Sequence, residues 1–289
     1  LFHAEVKVRA EAASAVRQAA ELDYAPAMNA LGDAYAMGKG VKRDYPQAAK
    51  WYRKGADGGS ARAASNLGEL SLVGLGMPID EAEGFRWVRR AADQGDAVAE
   101  ARLGLLYYKG QGVEADRNTA AGWFAKALAA GLKAEAEAGD VRAASLLGVM
   151  HAIGSSVPAS PEDAVRLYGI SAAQDYPLGV FNLANCFRNG QGVKQDLAEA
   201  LKLFEQAAHA ELPIAQMQLG RMCADGEGGP KDLAKAVSYY RQAVARNEPG
   251  AQYQLGECYY WGNGVPKDLA QALPLLRKAA DGGISDAQF

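Results

Sequence analysis

The sequence predicts an all-α fold, a right-handed α-solenoid of about seven two-helix repeats. Three observations carry this. A leucine anchor, usually followed by glycine, recurs at Leu31, Leu67, Leu103, Leu147, Leu183, Leu219 and Leu255, with gaps of 36, 36, 44, 36, 36 and 36 residues. A fixed period in this range marks a stacked repeat array. Each period carries two apolar stripes at helical spacing, and a Gly-x-Gly turn followed by a helix-starting Asp separates them.

The first full unit, residues 25–60, shows how one period makes two helices. Ala27, Leu31, Gly32 and Tyr35 share one helix face. Gly38 and Gly40 end that helix, because glycine tolerates the left-handed geometry of a helix C-cap. Val41 turns back toward the apolar interior. Asp44 with Gln47 three residues on forms a capping-box pattern. The second helix carries Ala48, Trp51, Tyr52, Gly55 and Ala56, an apolar stripe at i, i+3, i+4, i+7, i+8.

The same grammar returns in later units. The capping Asp is Asp80, Asp116, Asp196, Asp232 and Asp268, and Ser160 before Pro161 takes the role in the fourth unit. Large second-helix residues are Trp87, Trp123, Leu167, Leu203, Tyr239 and Leu275, each followed by another bulky residue. Small residues stand at Gly32, Gly68, Gly104, Gly148, Ala184, Gly220 and Gly256, where helices must approach closely.

The pattern A-x3-LG-x2-Y-x2-G-x-GV-x2-D-x3-A-x2-W-x3-A, as it runs from Ala27, resembles the Sel1-like repeat, a relative of the tetratricopeptide repeat. The resemblance covers residues 25–284. It divides a single solenoid into repeats 25–60, 61–96, 97–140, 141–176, 177–212, 213–248 and 249–284. Residues 1–24 read as the second helix of a truncated repeat, with Val16, Ala19 and Ala20 one period before Tyr52, Gly55 and Ala56. Residues 285–289 read as the start of a further repeat, so both ends look cut from something longer. The fourth unit departs most, with Ser156 in place of the second glycine, and the sixth has Gly229 where the loop valine is expected.

Two features break the period. The 44-residue gap holds eight additional residues, Gly131 to Ala138, about two helical turns. Either the second helix of the third unit overshoots or Gly131 splits it. Pro274 lies inside the last second helix, where a missing amide predicts a bend.

Composition excludes several classes. Apolar residues make up 49% and charged residues 22%, which fits an ordered chain. A net charge of −3 argues against a nucleic-acid footprint. No apolar run approaches the length of a membrane span. Cys186, Cys223 and Cys258 form no disulfide framework and read as buried helical thiols. His3, His151 and His209 lie in different units without metal-ligand spacing, so no metal site, no cofactor and no catalytic residue is expected. Gly38-Lys39-Gly40 follows a helix instead of a strand, which removes the phosphate-loop reading.

Function must then lie in what does not repeat. The first-helix face opposite the core comprises offsets −5, −2, +2, +5 and +6 from each anchor, and in related arrays it lines a concave groove. There the sequence places Asn29, Asp33, Arg62, Glu69, Tyr108 and Lys109 in the first three units. The fourth adds Arg142, Val149 and Ile153. The last three add Phe181, Asn185, Arg188, Met217, Arg221, Tyr253, Glu257, Tyr260 and Trp261. Aromatics with arginines are the residues enriched at protein-binding hot spots. Tyr260 and Trp261 either join this patch or pack against a following repeat.

The resemblance implies a non-catalytic bacterial scaffold that binds a peptide or protein in signalling, envelope assembly or host interaction; the oligomeric state stays open, with a monomer favoured. From resemblance alone, an exported or periplasmic place is favoured over a cytoplasmic one. The alternative it implies is a cell-wall or β-lactam-binding protein with weak hydrolase activity. Such relatives carry a disulfide in each repeat, and the cysteine pairs for that are absent here.

Overall fold

The computed structural model describes residues 14–284 and is helical throughout, with no strand among them. Residues 14–21 form α1. Helical hairpins follow: α2 (Ala25–Met37) with α3 (Tyr45–Asp57), α4 (Ala61–Val73) with α5 (Glu81–Ala92), and α6 (Ala97–Lys109) with α7 (Arg117–Ala129). A short α8 (Leu132–Glu137) precedes α9 (Val141–Ile153) and α10 (Pro161–Ala172). The chain continues with α11 (Pro177–Asn189) and α12 (Leu197–His209), α13 (Pro213–Asp225) and α14 (Leu233–Val244), then α15 (Pro249–Trp261) and α16 (Leu269–Asp281). This is an α-solenoid. The residues at either end, including the expected start of a further repeat, lie outside the described region.

Packing divides the chain into two compact units. One runs to Ser160 and takes back Gln174–Tyr176; the other comprises Pro161–Ala173 and the residues from Pro177 onward.

Local chemistry sets the helix ends. Asp44, Asp80, Asp116, Asp196, Asp232 and Asp268 each accept a backbone N–H two or three residues on, which satisfies an otherwise orphaned helix donor. The amide of the cap residue also donates nine residues back, to Tyr35, Ser71, Tyr107, His151, Phe187, Cys223 and Tyr259 in turn, at 2.8–3.1 Å. This bond fixes the loop of every repeat in the same register.

Two kinds of glycine hold the hairpins close. A Cβ on Gly104 would stand 2.7 Å from the Phe124 ring, and one on Gly220 would stand 2.5 Å from the Tyr240 ring. The second-helix knob therefore lies directly on the first-helix backbone. The knob is the second residue of each bulky pair: Tyr52, Phe124, Phe204 and Tyr240 are at most 1% exposed. Burying each such ring contributes about 1.5–3 kcal/mol. The preceding Trp87 and Trp123 are only half-buried, with Arg53 and Arg90 over the first ring and Arg89 and Lys126 over the second.

The second loop glycine has a different task. Gly112 and Gly228 have positive φ, and a Cβ there would stand 2.4 Å from the carbonyl oxygen of Glu81 or Leu197, at the start of the preceding second helix. Neighbouring repeats thus touch backbone to backbone. Ser156 keeps the left-handed conformation at φ 60° and donates its hydroxyl to Ala121 O at 3.1 Å, so the fourth repeat preserves the contact with a hydrogen bond.

The insertion resolves as a break. Gly131 has φ 104°, ends α7 and starts α8, whose Leu132 and Ala136 are fully buried. The assignment of α16 runs unbroken through Pro274. Val16, Ala19 and Ala20 of α1 pack against Ala27, Met28 and Leu31, as the register of a preceding second helix requires. The three cysteines are free and buried. No helix among the described residues is long and apolar enough to cross a membrane.

Candidate protein-binding face

The first-helix face differs between the two compact units. In the first it is filled by the chain's own polar side chains. Arg142 of α9 lies 3.0 Å from the Asp33 carboxylate of α2 and donates to the Tyr52 hydroxyl at 3.1 Å. Tyr52 donates in turn to Asp33 at 2.8 Å. Glu69 of α4 pairs with Arg102 of α6 and accepts from the Tyr176 hydroxyl at 2.7 Å. Asn66 donates to Asn29 at 2.9 Å, and Asn29 to Asp33 at 3.1 Å. Glu69, Asn66, Arg102 and Arg142 are all at most 8% exposed.

The network is charge-balanced, two arginines against two carboxylates. Burial opposes the Arg142 charge, but the Tyr52 hydroxyl oxygen it donates to and the Asp33 and Glu69 carboxylates outweigh it and hold the guanidinium above its ordinary range. Burial, reinforced by Asp33, pushes the Tyr52 hydroxyl well up, which keeps it a donor. Both arginines thus stay cationic and both tyrosines stay neutral.

An outer ring ties the insertion to this face. Arg62 of α4 meets Asp96 and Glu135 at 2.7 Å each and Asp140 at 3.2 Å. Glu135 belongs to α8, so the eight extra residues supply one anchor and Asp140, the cap of α9, another. A cavity of about 310 Å³ lies beside the network, lined by Asp33, Lys39, Asp140, Arg142 and Gln174 among others.

Among the first-unit candidates, Asn29, Asp33, Arg62 and Glu69 are therefore held inside this network. Tyr108 is half-buried under the Arg117 guanidinium, 3.7 Å from its ring centre. Lys109 is exposed as a residue, and partial desolvation of its ammonium, with nearby Arg102, lowers it below the ordinary lysine range. Tyr52, Asn66, Arg102 and Tyr176 were not among the candidates. Asn66 and Arg102 occupy the position just before the anchor leucine, and a large polar residue beside a buried anchor is the available signal.

In the second unit Arg188 grips Glu227 with two bonds, at 2.7 and 3.0 Å, and reaches Gln218 at 3.2 Å. The Arg188 hydrogen bond holds the Glu227 carboxyl below its ordinary range. Phe181 meets Phe204 edge-on at 5.7 Å, and Asn185 donates to the Phe181 carbonyl at 3.0 Å. Met217 is buried. Arg221, Tyr253 and Glu257 are half-buried. Tyr260 and Trp261 pack edge to face at 4.7 Å, and Trp261 stays 63% exposed.

The Sel1 repeat family model matches residues 25–60, 61–96, 97–132, 141–176, 177–211, 213–248 and 249–284. The chain belongs to the Sel1 repeat family. Sel1 repeats generally mediate protein–protein interaction, and such scaffolds are generally non-catalytic. Among solved structures, the chain is similar to a protective antigen of uropathogenic Escherichia coli with an SLR fold, at 36% identity and TM-score 0.51. That match covers 94% of this chain and 57% of the antigen chain, so the chain spans a little over half of that relative. It is also similar to a Sel1 repeat protein from Oxalobacter formigenes, at 28% identity and TM-score 0.51, covering 98% of this chain and 91% of that one. No curated protein matches the chain significantly.

Proposed function

We propose that this Sel1 repeat chain is a non-catalytic scaffold that binds a protein segment on the first-helix face of its second compact unit. Arg221, Tyr253, Glu257, Tyr260 and Trp261 form the contact surface. One observation carries the reading: a 63% exposed tryptophan packed on a tyrosine, in the same unit as an arginine on the corresponding face of the preceding first helix. A tryptophan left in water forgoes roughly 2–3 kcal/mol of burial, which a partner can recover. In the first unit the equivalent face is committed to internal ion pairs, so binding there would first have to break them.

A rigid helical face loses little conformational entropy on binding, which favours tight capture of an extended segment. Arg188 serves this face indirectly, by holding Glu227. Similarity to a protective antigen supports host contact as the setting. The test compares proteins captured from a native lysate by wild type and by an Arg221→Ala, Tyr260→Ala, Trp261→Ala variant. A partner lost only by the variant supports the reading. Unchanged capture would refute it.

A further inference from the structure

The sixth repeat lacks the aliphatic loop residue of the other six repeats and also the aromatic that four of them carry where the cap amide donates. The loop position is Val41, Met77, Val113, Val157, Val193 and Val265 elsewhere, and Gly229 here. The position whose carbonyl accepts from the cap amide is tyrosine or phenylalanine in four repeats, namely Tyr35, Tyr107, Phe187 and Tyr259. In the sixth it is Cys223. The second repeat also has a small residue there, Ser71, but fills behind its loop with a buried Leu75 and with Met77. The sixth has no such replacement.

A partly open cavity of about 150 Å³ stands at this place. Its walls are Leu201 of the fifth repeat with Met222, Cys223 and Pro230 of the sixth. A Cβ built on Gly229 meets only Leu201 Cδ2, at 3.4 Å. Glu227, Asp232 and Lys235 also line it, and each is engaged: Glu227 by Arg188 at 2.7 Å, Lys235 by Glu205 at 3.7 Å, and Asp232 by accepting the Lys235 backbone N–H at 2.9 Å as the cap of α14. The space therefore offers apolar wall and no free charge. Apolar cavities of about this volume stay dry and take up groups of benzene or xenon size.

We propose that this cavity is an anchoring pocket for one aliphatic side chain, of valine to leucine size, presented by a protein partner. The occupant's chemistry is read from the other repeats, which seat an aliphatic side chain of their own at the loop position. The inference rests on the scaffold reading above, but the pocket itself can be tested apart from it. It lies at the loop end of the hairpin, walled by Leu201 of α12 and Lys235 of α14 as well as by α13.

Two measurements decide it. Crystals of the whole chain under xenon pressure should show a xenon peak between Leu201, Met222 and Cys223, and none in Gly229→Val. Gly229 does not have positive φ, so valine is compatible with its backbone and should raise Tm by about 2–4 °C. An array of nine-residue peptides with one central position varied among Gly, Ala, Val, Leu and Asp should then show wild type retaining Val and Leu peptides roughly tenfold better than their Gly counterparts. Gly229→Val should lose that preference. No xenon in wild type would overturn the pocket. Xenon uptake without an aliphatic preference, or a preference unchanged in Gly229→Val, would overturn the anchoring role. Loss of capture in the Arg221, Tyr260, Trp261 variant while the aliphatic preference persists marks the two sites as separate contributions.

Discussion

Arg142 in the fourth repeat stands 3.0 Å from the Asp33 carboxylate in the first, and a second carboxylate, Glu69 of the second repeat, lies 3.8 Å away. One guanidinium of the fourth repeat therefore reaches the first and second, from which a linear stack would keep it apart. The eight-residue insertion and its Glu135 anchor on Arg62 accompany this closure.

Removing Arg142 should be costly. Arg142→Ala leaves two carboxylates facing a buried site with Arg102 as the remaining network cation. A broken buried ion pair costs about 3–5 kcal/mol. The urea midpoint of Arg142→Ala should fall accordingly, and Asp33→Asn in the same background should restore part of it. Equal midpoints for wild type and Arg142→Ala would show that the network contributes nothing.

The close approach of first and second helices gives a steric prediction. Gly104→Ala drives a methyl group toward the Phe124 ring, which is fully packed. Overpacking of this kind costs about 1–3 kcal/mol. Thermal unfolding should show a lower Tm for Gly104→Ala, while Gly122→Ala, where nothing lies within 4 Å of the added methyl, should not fall.

Two carboxylates should respond to pH with opposite sign. Burial raises the Glu100 carboxyl, with Asp96 adding to it and Lys126 opposing. Its charged form therefore burdens the fold above the raised value, and the burden vanishes below the unfolded value near 4.5. Glu100→Gln should stabilise the protein at pH 7–8, with the difference closing as pH falls toward 4. Glu227 is held low by Arg188, so its contribution is present above about 4.5 and is lost as pH falls further. Glu227→Gln should destabilise at neutral pH and converge with wild type in acid. Chemical denaturation across pH 3.5–8 checks both.

Local chemistry made the architecture legible in sequence. Leu31 to Leu255 set the period, Asp44 and its counterparts set helix starts, and the glycine pairs set the turns. These signals work over a few residues, so a single chain displays them. The Gly131 region stayed ambiguous because an overshooting helix and a split one share the same composition. The closure of the polar network was not legible in sequence. Arg142 and Asp33 are brought together by the summed rotations of three repeats, and no spacing rule encodes that sum. The groove offsets group Asn29, Asp33, Arg62 and Glu69 on one face, but offsets alone do not tell a face open to partners from one filled from within. The knob residues were half-read: Trp87 and Trp123 drew attention by size, while Val88 and Phe124 behind them are the buried ones.

Site-specific photo-crosslinking tests the central claim most directly. A photoreactive phenylalanine analogue placed at Tyr253, Trp261, Asn29 or Lys109 reports which face touches a partner in lysate. The expected result is a discrete adduct from positions 253 and 261, and none from 29 or 109. Adducts confined to 29 and 109 would contradict a binding face in the second unit.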